Sequence, residues 1–566
     1  MKKKALFWTR ARLRIVVTTG RGIIAALERG RRTAPITTPW RKGTRLIGEQ
    51  TPPGQIGDNT DMTMPATEYT LRAILAQAPG EATALIAPET ERRWSYGALR
   101  SQVAALATQL AGVGIMRGDR VAIVLPNGPE IVAAFLAVVH GGAVAAPLNP
   151  AYTPDEFTFF FGDIQPRALI VAPGDAAAAR ATAPMGCRIV EAAIDDMGRL
   201  CFVGDGDGSG AVATPEPEDI ALVLHTSGTT SRPKQVPLRH RNLLASARTI
   251  VESYQLTAAD VSLCVMPLFH VHGLVASTLS ALLAGGTVIA PARFSAGRFW
   301  QDAQRQGATW YSAVPTIHQI LLARAGEDAP PAGATGLRFA RSCSSALAPA
   351  VMQGLEQRLG VPVLEAYGMT EAAHQMASNP LPPARRVPGS VGLATGVQIG
   401  IMDQAGTLLP AGSAGEVVIR GESVTSGYHN NPQANVGAFT NGWFRTGDQG
   451  VLDEQGYLYL TGRLKEMILR GGENIAPREI DEVLLTHPAV AEAVTFGLPD
   501  QKYGEEVAAA VVLRHAATPE EIIAHCRARI AAFKAPKTIF ITEQIPRTAT
   551  GKIQRRIVAA AFVPER

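Results

Sequence analysis

Between Leu71 and Glu365 the chain repeats one rhythm, a short apolar run and then a stretch with helical spacing. No other feature constrains the fold as strongly, because strands joined by helical crossovers must lie parallel and be covered on both faces. Val121–Leu125, Ala143–Leu148, Ala168–Ala172, Ile220–Leu224, Thr287–Ala290, Trp310–Val314 and Val361–Glu365 read as buried strands. Tyr96–Ala111, Pro129–Val139 and Pro154–Asp163 read as helices, the first with Ser95 as N-cap and Gly112 just past its end. The expected class is therefore α/β, with parallel-rich sheets and helices in a large N-terminal domain. After Gly396 the rhythm changes, and Val397–Met402 and Gly415–Arg420 predict a β-rich, more antiparallel subdomain. Beyond Gly462-Arg463-Leu464-Lys465-Glu466 come a helix (Pro477–Leu485), two strands (Val490–Phe496, Val507–Val512) and a helix (Pro519–Ala532). That segment is long enough to be a small, mobile α+β C-terminal domain, with the hinge near Lys465.

At 566 residues the chain exceeds one compact core. The expected division is 62–464 for the large domain and 465–566 for the small one, with 1–61 a disordered basic leader or an over-extended start before Met62 or Met64. Residues 1–61 hold 13 Lys/Arg against 4 Asp/Glu, so of the formal charge of +5 the remainder carries −4. Basicity belongs to the leader, and the folded part gives no support for nucleic-acid binding. Two long uncharged stretches, Ile131–Leu148 and Val265–Ala292, are interrupted by His, Gly and Pro and predict helix plus strand, not a stable membrane span. Five scattered cysteines fit a reducing, cytoplasmic setting without a disulfide framework.

Thr226-Ser227-Gly228-Thr229-Thr230-Ser231-Arg232-Pro233-Lys234 follows a buried strand and is rich in hydroxyls, with two cations. Uncovered backbone N–H groups and hydroxyl donors can wrap a polyphosphate, although a polar surface turn would look the same. It is not the Gly-x4-Gly-Lys-Ser/Thr loop. Pro267–Gly273 sets His270 and His272 in an apolar run without a nearby third metal ligand. Arg341-Ser342-Cys343-Ser344-Ser345-Ala346 is a small-residue turn that lets a ligand approach backbone. Tyr367-Gly368-Met369-Thr370-Glu371 offers an aromatic face, a hydroxyl and a magnesium-binding carboxylate, and His374 lies three residues further on. Asp448 ends a Thr-Gly-Asp turn and suits a ribose diol, while Lys552 follows a Thr-Gly turn and alone would read as a solvated lysine.

In this order the segments resemble the acyl-adenylate-forming superfamily of acyl-CoA synthetases, luciferases and peptide-synthetase adenylation domains, over about residues 69–562. The resemblance implies an ATP-dependent acid–CoA ligase, and the expected state is a monomer or weak homodimer. It would make an acyl-adenylate with release of pyrophosphate, then a CoA thioester with release of AMP, using ATP, Mg²⁺, CoA and a small carboxylic acid. Matching residue by residue implies that Thr226, Ser227, Gly228, Thr229, Thr230 and Lys234 hold the β/γ-phosphates. It further implies that Tyr367 stacks on adenine beside Ser345 and Ala346, that Thr370 lies near the α-phosphate and that Glu371 holds Mg²⁺. Asp448 and Arg463 would take the ribose, and Lys552 would bridge the acyl carboxylate and α-phosphate. Lys465 would be the hinge, and Gly471-Gly472 would line the pantetheine tunnel. Leu224–Pro233, Pro267–Leu274, Trp310–Ile320, Arg341–Cys343 with Leu364–Tyr367, Asn379–Pro382, Phe533–Pro536 and Gly551–Val558 look like the oxalate–CoA ligases specifically. A small polar pocket of Ser344, His374, His270 and His272 or Arg341 agrees, His374 neutralising a second carboxylate. The alternatives are a ligase for another short-chain or aromatic acid, a catalytically dead nucleotide binder, and an adenylation domain serving a carrier protein. Two positions depart from the superfamily pattern, Ser231 and Gln235; a positive φ at Gln235 would cost about 1 kcal/mol and displace Lys234.

Overall fold

Helix Pro129–His140 has ten of its twelve residues buried, because it lies between two sheets and touches strands of both. The computed structural model describes residues 69–203, 210–226, 233–326, 335–547 and 553–562. The leader 1–61, Ser227–Arg232 and Lys552 lie outside the described residues.

The first sheet runs, in spatial order, Leu200–Val203, Arg188–Ile194, Ala168–Val171, Arg120–Val124, Val144–Pro147, Ile220–His225 and Gln235–Arg239. Its inner pairs are parallel and both edge pairs are antiparallel. The second sheet is built around parallel strands Thr83–Ala87, Thr287–Ile289, Val261–Leu263, Trp310–Ala313, Phe339–Ser342 and Val363–Met369. Strand His374–Ser378 then adds antiparallel to Val363–Met369. Short segments after the parallel strands of this sheet carry Ser344 and Glu371, and His374 opens the added antiparallel strand, at the carboxyl ends where open α/β sheets take their ligands.

An antiparallel sheet of Gln398–Met402, Ala414–Arg420, Trp443–Leu452, Phe439–Thr440 and Leu458–Arg463 follows. The smaller C-terminal domain pairs Val490–Asp500 with Gly504–Leu513 and places Thr538–Ile541 parallel to the latter. Its helix Pro477–Leu485 has the expected bounds, whereas the next ends at Arg527 and not at Ala532. Arg478 Nη1 donates to the Leu460 carbonyl at 2.9 Å and Arg547 Nη1 to Thr316 Oγ1 at 2.5 Å, tying this domain to the larger one. Among the described residues no helix is long and apolar enough to cross a membrane.

Candidate active site

Strands Ile220–His225 and Gln235–Arg239 pair as a hairpin and bring together the two ends of the hydroxyl-rich loop. Thr226 N–H donates to the Lys234 carbonyl at 2.9 Å, and Lys234 N–H donates to Thr226 Oγ1 at 3.2 Å. Gln235 is a strand residue and not among those with positive φ, so the expected strain is absent. Instead its Nε2 donates to Asp163 Oδ2 at 3.1 Å, and the same oxygen bonds Nε2 of His225, its cross-strand neighbour, at 2.6 Å. Gln235 thus helps fix the base of the loop.

Glu371 occupies a one-turn 3₁₀ segment, Thr370–Ala372, and is only 7% exposed. Tyr428 Oη donates to its Oε1 at 2.9 Å, and Lys234 Nζ stands 4.2 Å from the centre of the Tyr428 ring. Burial pushes the Glu371 carboxyl up. Burial pushes the Lys234 ammonium down; Lys465 adds to this and Glu371 opposes it. The expected hinge lysine is therefore close enough to act on the charge of the loop lysine. Thr370 is half-buried beside this group.

Tyr367 lies within strand Val363–Met369, not after it. Its Oη donates to Asp448 Oδ2 at 2.5 Å, and Arg463 Nε donates to Asp448 Oδ1 at 3.0 Å across paired strands. Burial, then the Asp448 carboxylate, push the Tyr367 phenol well above its ordinary range. Thr446-Gly447-Asp448 is not the expected turn: Gly447, at φ +74°, is absorbed inside strand Trp443–Leu452, where the register with Ala414–Arg420 shifts.

A second polar group centres on Arg341, which is fully buried in the central strand Phe339–Ser342. Its Nε donates to Tyr254 Oη at 2.8 Å, Nη1 to Ser312 Oγ at 2.9 Å and Nη2 to Gln375 Oε1 at 2.9 Å, while Nη2 also meets His374 Nε2 at 3.1 Å. His272 Nε2 meets Ser312 Oγ at 2.6 Å and its Nδ1 meets Ser344 Oγ at 3.0 Å. The His272 and His374 rings stack with centres 5.1 Å apart. A guanidinium has no acceptor, so His374 Nε2 must accept. Accepting at Nε2, the ring carries a proton on Nδ1 in this arrangement.

Local backbone explains how these side chains converge. His272 opens a π-helical run, His272–Leu279, a form found often at functional sites. A Cβ on Gly368 would lie 2.0 Å from the His374 carbonyl oxygen, so only glycine lets the two strands close here. Ser344 and His374 hold φ of +75° and +127°, conformations that side-chain-bearing residues keep only where the surroundings impose them. His270 Nδ1 accepts the His272 N–H at 3.2 Å. Ser345 and Ala346 are exposed on the turn, and Gly471 and Gly472 are exposed between two short strands at φ +59° and +91°. Ser312, Tyr254, Gln375 and Tyr428 escaped the sequence reading. An arginine in an otherwise apolar strand was the available signal for the first three; for Tyr428 there was none.

Among the described residues no three His, Cys, Asp or Glu side chains gather around one point. One buried carboxylate, Glu371, fits a hard cation such as Mg²⁺, which takes its other ligands from phosphate and water.

Comparison with known proteins gives a consistent picture. Residues 71–429 match the model of the AMP-binding enzyme family, and residues 479–552 that of the AMP-binding enzyme C-terminal domain. An oxalate–CoA ligase from Arabidopsis thaliana is 50% identical over 80% of this chain and 90% of that protein. An oxalate–CoA ligase from Saccharomyces cerevisiae is 42% identical over 85% and 94%. Among solved structures, ATP-bound MatB from Rhodopseudomonas palustris superposes with a TM-score of 0.79 at 30% identity, covering 87% of this chain and 99% of that one.

Proposed function

We propose that this chain, which belongs to the AMP-binding enzyme family and is an ATP-dependent acid–CoA ligase, takes oxalate as its acid. Enzymes of this kind use ATP, Mg²⁺ and CoA. In the first half-reaction one carboxylate oxygen of the acid bonds to the α-phosphorus and the bond to pyrophosphate breaks. In the second the CoA sulfur bonds to the acyl carbon, its proton leaves to solvent, and AMP departs.

The residues Thr226–Lys234 hold the β/γ-phosphates, Lys234 supplying charge that its partial burial leaves poorly screened. Glu371 would hold Mg²⁺, which when bound would neutralise phosphate charge. Tyr428 keeps the Glu371 carboxylate oriented and ionised through its hydroxyl. Tyr367 packs on adenine and is fixed by the same Asp448 that, with Arg463, receives the ribose hydroxyls. Thr370 lies at the α-phosphate, and Ser345 and Ala346 border the nucleotide. Lys552, outside the described residues, spans the acyl carboxylate and α-phosphate, stabilising charge that develops on the phosphoryl oxygens. Lys465 is the pivot between domains 62–464 and 465–566, and turning there brings Gly471-Gly472 to the site for the thioester step.

The observation that carries oxalate is the buried polar group: Arg341, His272, His374, Ser312 and Gln375 are each at most 1% exposed where a fatty acid would need apolar walls. The relatives named above support the same acid. A cytoplasmic monomer or weak dimer completes the proposal, in keeping with five unpaired cysteines. Release of AMP against a panel of mono- and dicarboxylates, with and without CoA, tests it. Oxalate should lead the panel and AMP release should require CoA; faster turnover of hexanoate or coumarate would sink the proposal.

A further inference from the structure

Among the described residues Arg341 donates to Tyr254, Ser312, Gln375 and a His374 that must accept, with the Cys343 side chain also bonded to it, and none of these is a carboxylate. A fully buried guanidinium without a carboxylate is costly and stands ready for an incoming anion. The direction of each hydrogen bond can be followed outward from it, because it only donates. Ser312 Oγ accepts from Nη1 and is fully buried, so its own proton goes to its other partner, His272 Nε2. His272 then carries its proton on Nδ1 and gives it to Ser344 Oγ. Ser344, already accepting, keeps its O–H for the acid. His374, the other ring that meets the guanidinium, accepts at Nε2.

From this polarity we infer that Arg341 selects the acid's second carboxylate without touching it, its charge delivered through the oriented branch Ser312–His272–Ser344, which ends in the Ser344 hydroxyl. Arg341 is thus a positioning residue that determines specificity. Hydrogen bonds in a low-dielectric interior polarise one another, so a buried charge strengthens the donor at the chain end. The stacked, neutral His272 and His374 rings fit the scheme, since two imidazoliums beside a guanidinium would repel. Among the described residues the titratable groups facing Arg341 are Tyr254, His272, His374, Cys343 and His318. Burial pushes the Tyr254 phenol up and the His318 ring down to about 4, so neither changes charge near neutrality.

The inference rests on oxalate as the acid, and the test separates the two. Full-length wild type and Arg341→Gln are compared in pyrophosphate exchange with oxalate and with oxamate, its uncharged-amide counterpart. Wild type should prefer oxalate, with a KM ratio between the two acids that stays level between about pH 5 and pH 8. Arg341→Gln should raise the oxalate KM about 10–100-fold, with kcat and the oxamate KM near wild type. The wild-type pH profile decides the matter even where the variant does not fold. A ratio that collapses as pH rises through about 6.5 would assign the charge to a histidine and overturn the inference. Equal losses on both acids, or an unchanged ratio, in Arg341→Gln would overturn it as well. A wild type that prefers oxamate or acetate removes oxalate and the inference together; a wild type that takes oxalate while the variant keeps the preference removes the inference alone.

Discussion

Replacing Tyr428 by Phe removes one hydroxyl and keeps the ring under Lys234. The lost bond is the 2.9 Å donation to Glu371 Oε1, a contact to a buried carboxylate. Bonds to charged groups are worth about 1.5–3 kcal/mol, or roughly 10–150-fold in an equilibrium constant. The cation–ring contact at 4.2 Å and the edge contact with Phe444 at 6.4 Å should survive, so thermal stability should fall little. The effect should therefore appear where Glu371 acts. Under saturating ATP and oxalate, the Mg²⁺ concentration giving half-maximal pyrophosphate exchange should rise about 10–100-fold, while the oxalate KM stays put. The pH dependence has a defined sign. Burial already pushes the Glu371 carboxyl up, and the Tyr428 hydroxyl opposes this by favouring the ionised form. Its loss raises the pKa further, so the acid limb of the activity profile should move to higher pH. A Tyr428→Phe enzyme with unchanged Mg²⁺ dependence and a raised oxalate KM would refute the assignment of Glu371.

Three further outcomes are expected. Gly368→Ala would drive a Cβ to within 2.0 Å of the His374 carbonyl, costing on the order of 1–3 kcal/mol in chemical denaturation and displacing His374, with activity on oxalate falling more than ATP affinity. Gln235→Gly should cost about 1 kcal/mol through the lost Asp163 bond and the looser strand, with kcat preserved, as urea titration and steady-state rates will show. Burial pushes the Glu365 carboxyl up to about 7, so the folded state keeps a proton that the unfolded chain releases near pH 4.5. The stability this proton confers is present below that pH and is lost as pH rises through about 7, on the order of 3 kcal/mol in all; in Glu365→Gln the Tm should lack that slope.

Sequence legibility followed locality. Ser95 and Gly112 marked helix Tyr96–Gly112 almost to the residue, because its Ser95 cap is built from neighbours along the chain. Parallel strands buried on both faces are continuous apolar runs, and Ala168–Val171 and Trp310–Ala313 stood out for that reason. Tyr367, Glu371 and Asp448 stood out as candidates because each sits in a contiguous motif. Their mutual bonds did not, since Tyr367 and Asp448 belong to different sheets 81 positions apart. The Arg341 group draws on a helix end (Tyr254), the start of the π-helical run (His272) and three strands (Ser312, Arg341, His374 and Gln375), so no window of sequence contains it. Residue type at Gln235 suggested strain in a loop, whereas pairing with His225 makes it a strand residue with a partner in Asp163. Gly447 suggested a turn because positive φ usually means one; here a bulge serves the same geometry.

This ligase is expected to activate a small dianionic acid ahead of monocarboxylates. A competition in one vessel tests it most directly: the full-length protein with ATP, Mg²⁺ and limiting CoA, facing oxalate, acetate, hexanoate and coumarate at equal concentration, with the CoA thioesters counted by mass spectrometry. Their early ratio equals the ratio of kcat/KM values. Oxalyl-CoA should dominate the products. A mixture led by hexanoyl- or coumaroyl-CoA would contradict the account.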